Sequence, residues 1–389
     1  MVWRVRMTFL ALVFTWLIVP TCHCDEPPRQ VAVSSQSLER FKVATDGGPL
    51  LLPVDIQGKR YFFALDTGAS RSFYDTSLRF TLGAPSRTLV KVVTASNNVE
   101  LQEFRSPPAK LGRLDLPANM PICCLDMEGL RKIWGEEVYG ILGMDVLKNY
   151  IVRINFDRGE VTFLRSVDPD PGKRVPIFFR KNCPHVVLEI PGLAKKELFL
   201  LDTGWGTFNG TFHSAVFATL AKERRLSLNN PLEVRTPSGI STQRSGCVEA
   251  ISLGGYDHKK LRFCEAGLNT LGRGYLSRYV VTFDFPNSVI YLKKGQNFDR
   301  SDVVGQTGMS ILRRKGVTWV MSVDDSSPAA LAGIRPQDVL LEINGMKTSD
   351  ISLSALGNLF AENGAEYRIL IRRQERNIEI KMTVPHEDK

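Results

Sequence analysis

An aspartate behind an apolar run and inside a tight Thr-Gly turn occurs twice in the 389-residue chain. The first copy is FFALDTGAS, residues 62–70, and the second is LFLLDTGWG, residues 198–206. Their aspartates, Asp66 and Asp202, are 136 residues apart. One Asp-Thr-Gly triplet arises by chance in roughly one chain of this length in ten, so the informative signal is the repetition. Because the same acidic turn occurs in two similar sequence contexts, the chain is predicted to contain two similar halves.

A second pair of similar segments follows the two acidic turns at a similar spacing. GILGMDVLKNYIVRINFDRGEVTFL begins at Gly140, and NTLGRGYLSRYVVTFDFPNSVIYL begins at Asn269 and aligns with it without a gap. Each copy predicts an apolar strand that ends in Leu-Gly, a short helical stretch and two alternating strands joined by a polar turn. The Leu-Gly pairs are Leu142 with Gly143 and Leu271 with Gly272.

The repeats and the Pro- and Gly-rich interruptions between them predict the domain organisation. A third module follows the repeats and contains no Asp-Thr-Gly. In chain order we predict a signal peptide at 1–24, an N-terminal linker at 25–44, a first β-rich lobe at 45–165, a linker at 166–176, a second lobe at 177–295, a linker at 296–304 and the third module at 305–385.

The first 24 residues have the composition of an export signal. A basic start, MVWRVRM, precedes TFLALVFTWLIVP, an apolar stretch of 13 residues that is short for a membrane span. We expect cleavage after Cys24 and a periplasmic, cell-envelope or secreted protein. The alternative is a retained leader that tethers the protein to the membrane.

Charge, histidines and cysteines exclude several functional classes. The formal net charge is +9, but Lys and Arg are interspersed with acids, so nucleic acid is not a predicted partner. Five dispersed histidines, adjacent Cys123 and Cys124, and lone Cys183 form no metal-binding pattern, so no metal and no cofactor is predicted. Cys247 and Cys264 flank two strand-like runs, and they are either a cross-strand disulfide or two buried thiols.

Two buried carboxyls, one from each half, suit the hydrolysis of amides. The reaction needs a base that activates water and an acid that polarises the carbonyl. Two carboxyls at close range cannot both remain ionised, so they share one proton and supply both functions. Neither a Gly-x-Ser-x-Gly elbow nor a His-Glu-x-x-His helix is present in the sequence. The pattern therefore predicts Asp66 and Asp202 as a catalytic pair.

The residues next to each acid suit such a catalytic turn. Gly68 and Gly204 lack a Cβ atom, so backbone N–H groups can approach the carboxylates closely. Thr67 and Thr203 are expected to form hydrogen bonds across the lobe interface and to hold the two turns together. The alternative is that both aspartates merely cap turns, a common role for Asp, but the duplicated arrangement favours a site.

The two halves resemble the lobes of a pepsin-like or retropepsin-like aspartic protease over roughly residues 45–295. LDTGAS and LDTGWG correspond to the catalytic turns of that family, and GILGMD and NTLGRG correspond to the strands behind them. The resemblance implies a mostly β fold with two pseudo-symmetric, closed-barrel lobes. It also implies Asp66 and Asp202 as the dyad, and peptide or unfolded-protein substrates in a cleft between the lobes.

The chain departs from that family in two places. Pepsin-like enzymes carry a tyrosine in the flap over the cleft, and residues 85–105 contain none. VVTASNNVEL, residues 92–101, is the flap candidate, with Thr94, Ala95 and Ser96 in its middle, which is closer to the retroviral style. Bulky Trp205 directly follows the second turn, and it either narrows the cleft or packs beneath it.

The third module resembles a small α+β PDZ domain of the bacterial periplasmic-protease type. The resemblance is carried by SSPAALAGIRPQDVLLEINGMKT, residues 326–348, in which Pro328 starts a short helix and Gly333 ends it. It implies that apolar C-terminal tails bind by adding a strand to the sheet. The backbone that would receive the terminal carboxylate is that of Gly308, Met309, Ser310 and Ile311.

These features together predict an exported, single-chain aspartic endopeptidase. In this hypothesis the PDZ module recruits or gates protein substrates through their C-terminal tails. The alternative is a non-catalytic peptide-binding or scaffold protein with a degenerate protease fold. Intact acids, threonines and glycines in both turns argue against degeneration.

Overall fold

The computed structural model describes residues 37–45, 48–86, 89–93, 98–134, 136–193, 195–206, 209–236, 239–299, 307–314, 316–351, 356, 359–360 and 364–385. The described chain is mostly β, with two similar β-rich lobes and a small C-terminal α+β domain. The predicted fold class is therefore confirmed. The predicted signal peptide and the flap residues Thr94, Ala95 and Ser96 lie outside the described residues.

The first lobe is built on a nine-stranded sheet with the order β5-β6-β9-β4-β10-β3-β2-β7-β8. In chain order, strands β1 to β12 are Ser37–Lys42, Leu51–Ile56, Lys59–Leu65, Phe73–Asp75, Leu89–Val93, Asn98–Arg105, Ala109–Leu111, Leu114–Leu116, Pro121–Leu125, Gly140–Leu142, Ile151–Asn155 and Glu160–Leu164. The helices are α1 (Glu128–Trp134), α2 (Met144–Leu147) and a 3₁₀ helix at Thr76–Thr81.

The second lobe is built on an eight-stranded sheet with the order β14-β15-β16-β21-β17-β20-β19-β18. In chain order, strands β13 to β23 are Lys173–Pro176, Phe178–Arg180, Cys183–Leu188, Glu197–Leu201, Gly210–His213, Leu226–Thr236, Gly239–Leu253, Tyr256–Ala266, Thr270–Leu271, Tyr279–Asp284 and Val289–Lys294. The helices are α3 (Ser214–Lys222) and α4 (Arg273–Leu276).

The two lobes repeat one arrangement around their acidic turns. The strand that precedes the acid pairs in parallel with the Leu-Gly strand, so that Leu65 lies opposite Leu142 and Leu201 lies opposite Leu271. The Leu-Gly strand then pairs antiparallel with the strand that follows the acid, which is β4 in one lobe and β17 in the other. Each acid therefore leaves the middle of a sheet at an equivalent point.

A six-stranded sheet, with the order β1-β12-β11-β22-β23-β13, joins the lobes. Its centre is the antiparallel pair β11 and β22, one from each lobe. The structure differs here from the predicted linkers, because 25–44 contains β1 and 166–176 contains β13. These two strands close the edges of the sheet, which would otherwise expose unpaired backbone groups, and each buries an apolar side chain, Phe41 and Val175.

The second lobe also extends into the linker predicted at 296–304. Phe298 is buried against the rings of Tyr256 and Tyr279, with ring centroids 5.3 Å and 5.5 Å away. The side chain of Arg278 donates a hydrogen bond to the Phe298 carbonyl oxygen at 3.2 Å. The apolar core of the lobe therefore continues at least as far as Phe298.

Apolar residues of both lobes form one continuous core. Fully buried aromatic side chains lie directly behind the acidic turns, among them Phe63 and Phe199. Each contacts a second ring edge-on, Tyr74 at 5.0 Å and Phe212 at 5.8 Å. Burial of one such side chain stabilises the fold by roughly 1.5–3 kcal/mol. The strands that carry the acids are thus held firmly.

The C-terminal domain has its own core and a sheet with the order β24-β25-β26-β28-β29, to which β27 is added beside β26. Its strands β24 to β29 are Met309–Arg314, Val317–Val323, Val339–Ile343, Met346–Lys347, Glu366–Arg373 and Arg376–Thr383. Helix α5 is Pro328–Leu331, and a 3₁₀ helix lies at Thr348–Asp350. The Ser327 hydroxyl accepts from Ala330 N at 3.2 Å and caps α5, and Pro328 is its first residue.

Two further features follow from the described residues. Cys247 and Cys264 form no disulfide with each other, and in the paired strands they lie opposite Arg262 and Ser245. None of the helices in the described part of the chain has the length and apolar character needed to cross a membrane.

Candidate active site

Asp66 and Asp202 occupy equivalent positions at the ends of β3 and β16. The backbone N–H of Asp66 donates to the Leu142 carbonyl oxygen at 3.0 Å, and that of Asp202 donates to the Leu271 carbonyl oxygen at 3.0 Å. The Leu-Gly strands therefore fix the point at which each acidic turn begins. In both lobes, therefore, the acidic turn begins beside the Leu-Gly strand, as the two repeated motifs predict.

Thr67 and Thr203 join the two turns by four hydrogen bonds. The backbone N–H of each threonine donates to the hydroxyl of the other, at 3.0 Å and 3.1 Å. The Thr67 hydroxyl donates to the Leu201 carbonyl oxygen at 2.6 Å, and the Thr203 hydroxyl donates to that of Leu65 at 2.9 Å. Because both threonines are fully buried, these bonds fix the spacing of the lobes at the site.

Each carboxyl lies over the glycine of the opposite turn. A Cβ atom added to Gly68 would be 2.5 Å from Asp202 Cγ, and one added to Gly204 would be 2.4 Å from Asp66 Cγ. The turns thus bring the two acids, which are distant in the sequence, face to face, and only glycine leaves room for this approach.

The two carboxyls accept matching sets of backbone hydrogen bonds. The Oδ1 atom of Asp66 accepts from the N–H groups of Gly68 at 2.8 Å and of Ala69 at 3.1 Å. The Oδ1 atom of Asp202 accepts from the N–H groups of Gly204 and Trp205, both at 2.9 Å. Such bonds favour a charged carboxylate, and they also fix the plane of each carboxyl group.

Burial acts against the charge on the pair. It raises the pKa of both acids, and the charge of Asp66 adds to this effect at Asp202, whose pKa rises to about 7. The backbone bonds from the turns lower the pKa of each acid, and so does the positive charge of Arg273. Because the two titrations are coupled, a single shared proton is the favoured state of the pair in mild acid.

A polar network behind the first turn was missed from the sequence. Asp145, in the first turn of α2, accepts from Ser72 N at 2.9 Å and from the Ser72 hydroxyl at 2.7 Å. Gly143 N in turn donates to Ser72 Oγ at 3.0 Å, and a Cβ atom on Gly143 would lie 2.4 Å from the Arg71 carbonyl. The available signal was an acid inside the apolar segment GILGMDVL.

The second turn is supported differently, by Arg273. This side chain is only 4% exposed, and its guanidinium donates to the Thr203 carbonyl oxygen at 2.6 Å. Its backbone N–H donates to the Trp205 carbonyl oxygen at 3.3 Å. The signal in the sequence was again a charged residue inside an apolar segment, NTLGRGYL.

The residues that directly follow the two acidic turns differ in size. Ala69 follows the first turn and packs against the apolar cluster around Phe73 and Ile141. Trp205 occupies the equivalent place after the second turn and is half-buried. Its indole N–H is buried and has no hydrogen-bond partner within the described residues. The pair therefore has a small neighbour on one side and a large amphipathic one on the other.

The hairpin of β14 and β15 in the second lobe contacts the first turn. Asn182 donates from its side-chain amide to the Ser70 carbonyl oxygen at 2.8 Å, and the Cys183 thiol donates to the Gly68 carbonyl oxygen at 3.3 Å. Burial and the charges of the two acids raise the pKa of Cys183 to about 12. Cys183 is therefore a neutral hydrogen-bond donor at the site and not a nucleophile.

The remaining predicted site residues lie away from the acid pair or outside the described chain. Strands β5 and β6 flank the flap candidate, and β18 and β19 form the equivalent hairpin of the second lobe. In the C-terminal domain, Met309, Ser310 and Ile311 begin β24, directly after Gly308. Strand β24 ends its sheet, so within the described residues one edge of it is open for a further strand.

Two family models match parts of the chain. Residues 52–146 match the aspartyl protease family, and residues 319–373 match the PDZ domain family. Among solved structures, the crystal structure of an aspartic proteinase from Irpex lacteus is 13% identical with a TM-score of 0.44, and the match covers 66% of this chain and 97% of that chain. No curated protein matches the chain in the sequence search. The chain therefore carries an aspartyl protease domain, which includes the first acidic turn and the Leu-Gly strand behind it, and a C-terminal PDZ domain.

Proposed function

We propose that this protein is an exported aspartic endopeptidase in which Asp66 and Asp202 form the catalytic dyad. The observation that carries the proposal is the reciprocal approach of the two turns, in which each carboxyl lies over the glycine of the other turn. Burial raises the pKa of both carboxyls, and the charge of Asp66 raises the pKa of Asp202 further, which favours one proton on the pair. These are the properties that acid–base catalysis of amide hydrolysis requires.

The proposed reaction consumes one water and breaks one C–N bond. The ionised carboxylate takes a proton from water as the water oxygen attacks the scissile carbonyl carbon, and the protonated carboxyl donates its proton to the carbonyl oxygen. The product of this step is a gem-diol. It collapses as the C–N bond breaks, the nitrogen receives a proton from the carboxyl that accepted one from water, and the other carboxyl recovers a proton from the diol.

Cleavage within a chain is proposed rather than removal of terminal residues. An exopeptidase of the carboxyl-terminal kind holds the substrate carboxylate with an accessible cation near the reacting bond. Among the described residues, the cation whose charge acts on this pair is Arg273, and its guanidinium is buried and donates to the Thr203 carbonyl oxygen. It is therefore not available to a substrate terminus.

The PDZ domain is proposed to recruit substrates or to gate their access through C-terminal tails. The open edge of β24 supports this role, because a bound tail would extend the sheet as an added strand. The sequence preceding the described residues supports export, since residues 1–24 have a basic start and a short apolar stretch. Mass spectrometry of the N-terminus of the purified protein tests whether the leader is removed.

The catalytic proposal is tested by digesting a denatured protein from about pH 3 to about pH 8, with and without pepstatin. We expect internal cleavage that pepstatin inhibits, and a loss of at least about 100-fold in kcat for Asp66→Asn and for Asp202→Asn. Activity unchanged in both variants would rule out the dyad.

The tail-binding proposal is tested separately, with the Asp66→Asn variant so that the peptide probes stay intact. Peptides with apolar C-terminal residues are compared with the same peptides carrying a C-terminal amide, which removes the carboxylate. We expect weaker binding of the amidated peptides. Equal binding of both forms would contradict recognition of a terminal carboxylate.

A further inference from the structure

The residue that follows each Leu-Gly pair differs in charge between the two lobes. In the first lobe this residue is Met144, whose N–H donates to the Ala69 carbonyl oxygen at 2.8 Å. In the second lobe it is Arg273, whose N–H donates to the Trp205 carbonyl oxygen at 3.3 Å. The same backbone place thus carries a neutral side chain behind one acid and a cation behind the other.

Arg273 is held close to the second turn and away from solvent. It is the first residue of α4, it is 4% exposed, and its guanidinium donates at 2.6 Å to the carbonyl oxygen of Thr203, the residue next to Asp202. An arginine keeps its charge at every pH at which a protein is folded. Because water is excluded from this place, its field at the carboxyls is weakly screened.

Few other charged or titratable groups act on the carboxyl pair in the described structure. The thiol of Cys183, from β15, remains neutral because its pKa is raised to about 12. Asp145, from α2, directs both of its oxygens to Ser72 behind the first turn. Burial raises the pKa of Asp66 and of Asp202, and the Arg273 charge lowers the pKa of both.

We propose that Arg273 is an electrostatic positioning residue, which holds one negative charge on the Asp66–Asp202 pair and thereby sets the pH range in which the pair is singly ionised. This inference rests on the proposed proteolytic function. It assigns to Arg273 an action through the carboxyls rather than through the substrate. The first lobe has no equivalent, since Met144 stands in that place.

The direction of the effect follows from charge alone. A nearby cation favours the ionised form of a carboxyl, so its removal raises both apparent pKa values of the pair. The acid limb of the pH profile of kcat/KM reports the first of these values, and the alkaline limb reports the second. Both limbs should therefore move to higher pH when the charge is removed, and activity at acidic pH should fall.

The experiment compares three variants of Arg273. Arg273→Met introduces the side chain found in the first lobe, and Arg273→Gln is neutral but can still donate a hydrogen bond. Arg273→Lys keeps a positive charge. Arg278→Met is the matched control, because Arg278 is also buried, 1% exposed, but donates to the Phe298 carbonyl oxygen. The pH profile of kcat/KM and the thermal unfolding temperature are measured for each variant.

We expect both limbs to move upward by about one pH unit or more in the Met and Gln variants, and by less in the Lys variant. The limbs should stay in place in Arg278→Met, even if that variant is less stable. A folded neutral variant whose pH profile has both limbs at the wild-type positions would overturn the proposal. Failure of both neutral variants to fold would also overturn it, since Arg273 would then have a structural role. A wild-type protein without any proteolysis would instead refute the proposed function.

Discussion

Thr67 and Thr203 exchange backbone hydrogen bonds across the two lobes: the N–H of each donates to the hydroxyl oxygen of the other, at 3.0 Å and 3.1 Å. Each residue directly follows Asp66 or Asp202 in the chain, and both are fully buried. The same hydrogen bonds therefore join the two acidic turns and set the spacing of the acids. Loss of stability and loss of activity should be linked at this pair.

Replacing either threonine with valine tests this link. Thr203→Val removes the acceptor of Thr67 N and the donor to the Leu65 carbonyl oxygen. Because the remaining partners stay buried, we expect a loss of about 1–3 kcal/mol in the free energy of unfolding, together with a lower kcat. The measurements are urea unfolding and peptide cleavage.

The double variant and a conservative variant provide the controls. Thr67→Val and Thr203→Val each break two of the four hydrogen bonds, and no bond is common to both. The double variant should still cost less than the sum of the two single changes, because each change loosens the contact between the same two turns. Thr203→Ser keeps the hydroxyl and should retain most of the stability. Strict additivity of the valine changes would contradict a shared network.

The glycines of the acidic turns should tolerate no side chain. In Gly68→Ala the new Cβ atom would lie 2.5 Å from Asp202 Cγ, so that carboxyl must move. A displacement of this size at the reacting groups costs about 100-fold in rate, and we expect kcat to fall by at least that factor. Gly83→Ala is the matched control, since nothing lies within 4 Å of its added Cβ atom. Equal activity of the two alanine variants would contradict the described approach of the turns.

Asp75 stabilises the first lobe through a buried network. Its carboxylate is 1% exposed and accepts from Met127 N at 2.9 Å, from Arg131 at 3.0 Å and from Ser77 N at 2.9 Å. Asp75→Ala leaves the buried Met127 N–H without its acceptor and removes the ionic partner of the half-buried Arg131, so we expect a loss of about 1–3 kcal/mol in the free energy of unfolding. Calorimetry or urea unfolding measures it.

An exposed ion pair in the same lobe is the control for Asp75. Lys110 and Asp115 are 3.5 Å apart, with side chains 64% and 81% exposed. Asp115→Ala should change the free energy of unfolding by no more than about 1 kcal/mol. Comparable losses of unfolding free energy in Asp75→Ala and Asp115→Ala would mean that burial does not determine how much each carboxylate contributes to stability.

The sequence was sufficient to predict the acid pair and the strands behind it, because both signals are local and both are repeated. Asp66 and Asp202 each carry their own Thr-Gly turn, and Leu142 and Leu271 each precede a glycine. A short repeated segment requires no knowledge of the tertiary fold. The mostly β class and the PDZ domain were predictable for another reason, the resemblance of LDTGAS, LDTGWG and residues 326–348 to segments of known families.

Features that depend on distant partners could not be predicted. Strands β1 and β13 lie in segments without a clear alternating pattern, and they become strands because β12 and β23 offer them open edges. Arg273 is a charged residue in an apolar segment, and only the fold shows that its guanidinium reaches the Thr203 carbonyl oxygen. Tertiary placement, rather than local preference, decides such positions.

The raised pKa of Asp202 should make the stability of the folded protein depend on pH. In the unfolded chain an aspartate titrates near about 3.9, whereas burial and the charge of Asp66 raise the pKa of Asp202 to about 7 in the folded state. Between these values the folded protein holds a proton that the unfolded chain has released. The stabilisation associated with this proton is complete below about pH 4, and it is lost as the pH rises through about 7.

Asp202→Asn removes this titration while keeping an Oδ1 atom that can accept from Gly204 N and Trp205 N. We therefore expect the variant to unfold at a higher temperature than the wild type at neutral pH, with a difference that shrinks toward about pH 4. Thermal unfolding across this range measures it, and the inactive Asp66→Asn protein controls for self-digestion of the wild type. A wild-type advantage that grows with pH would show that Asp202 is stabilised in its ionised form.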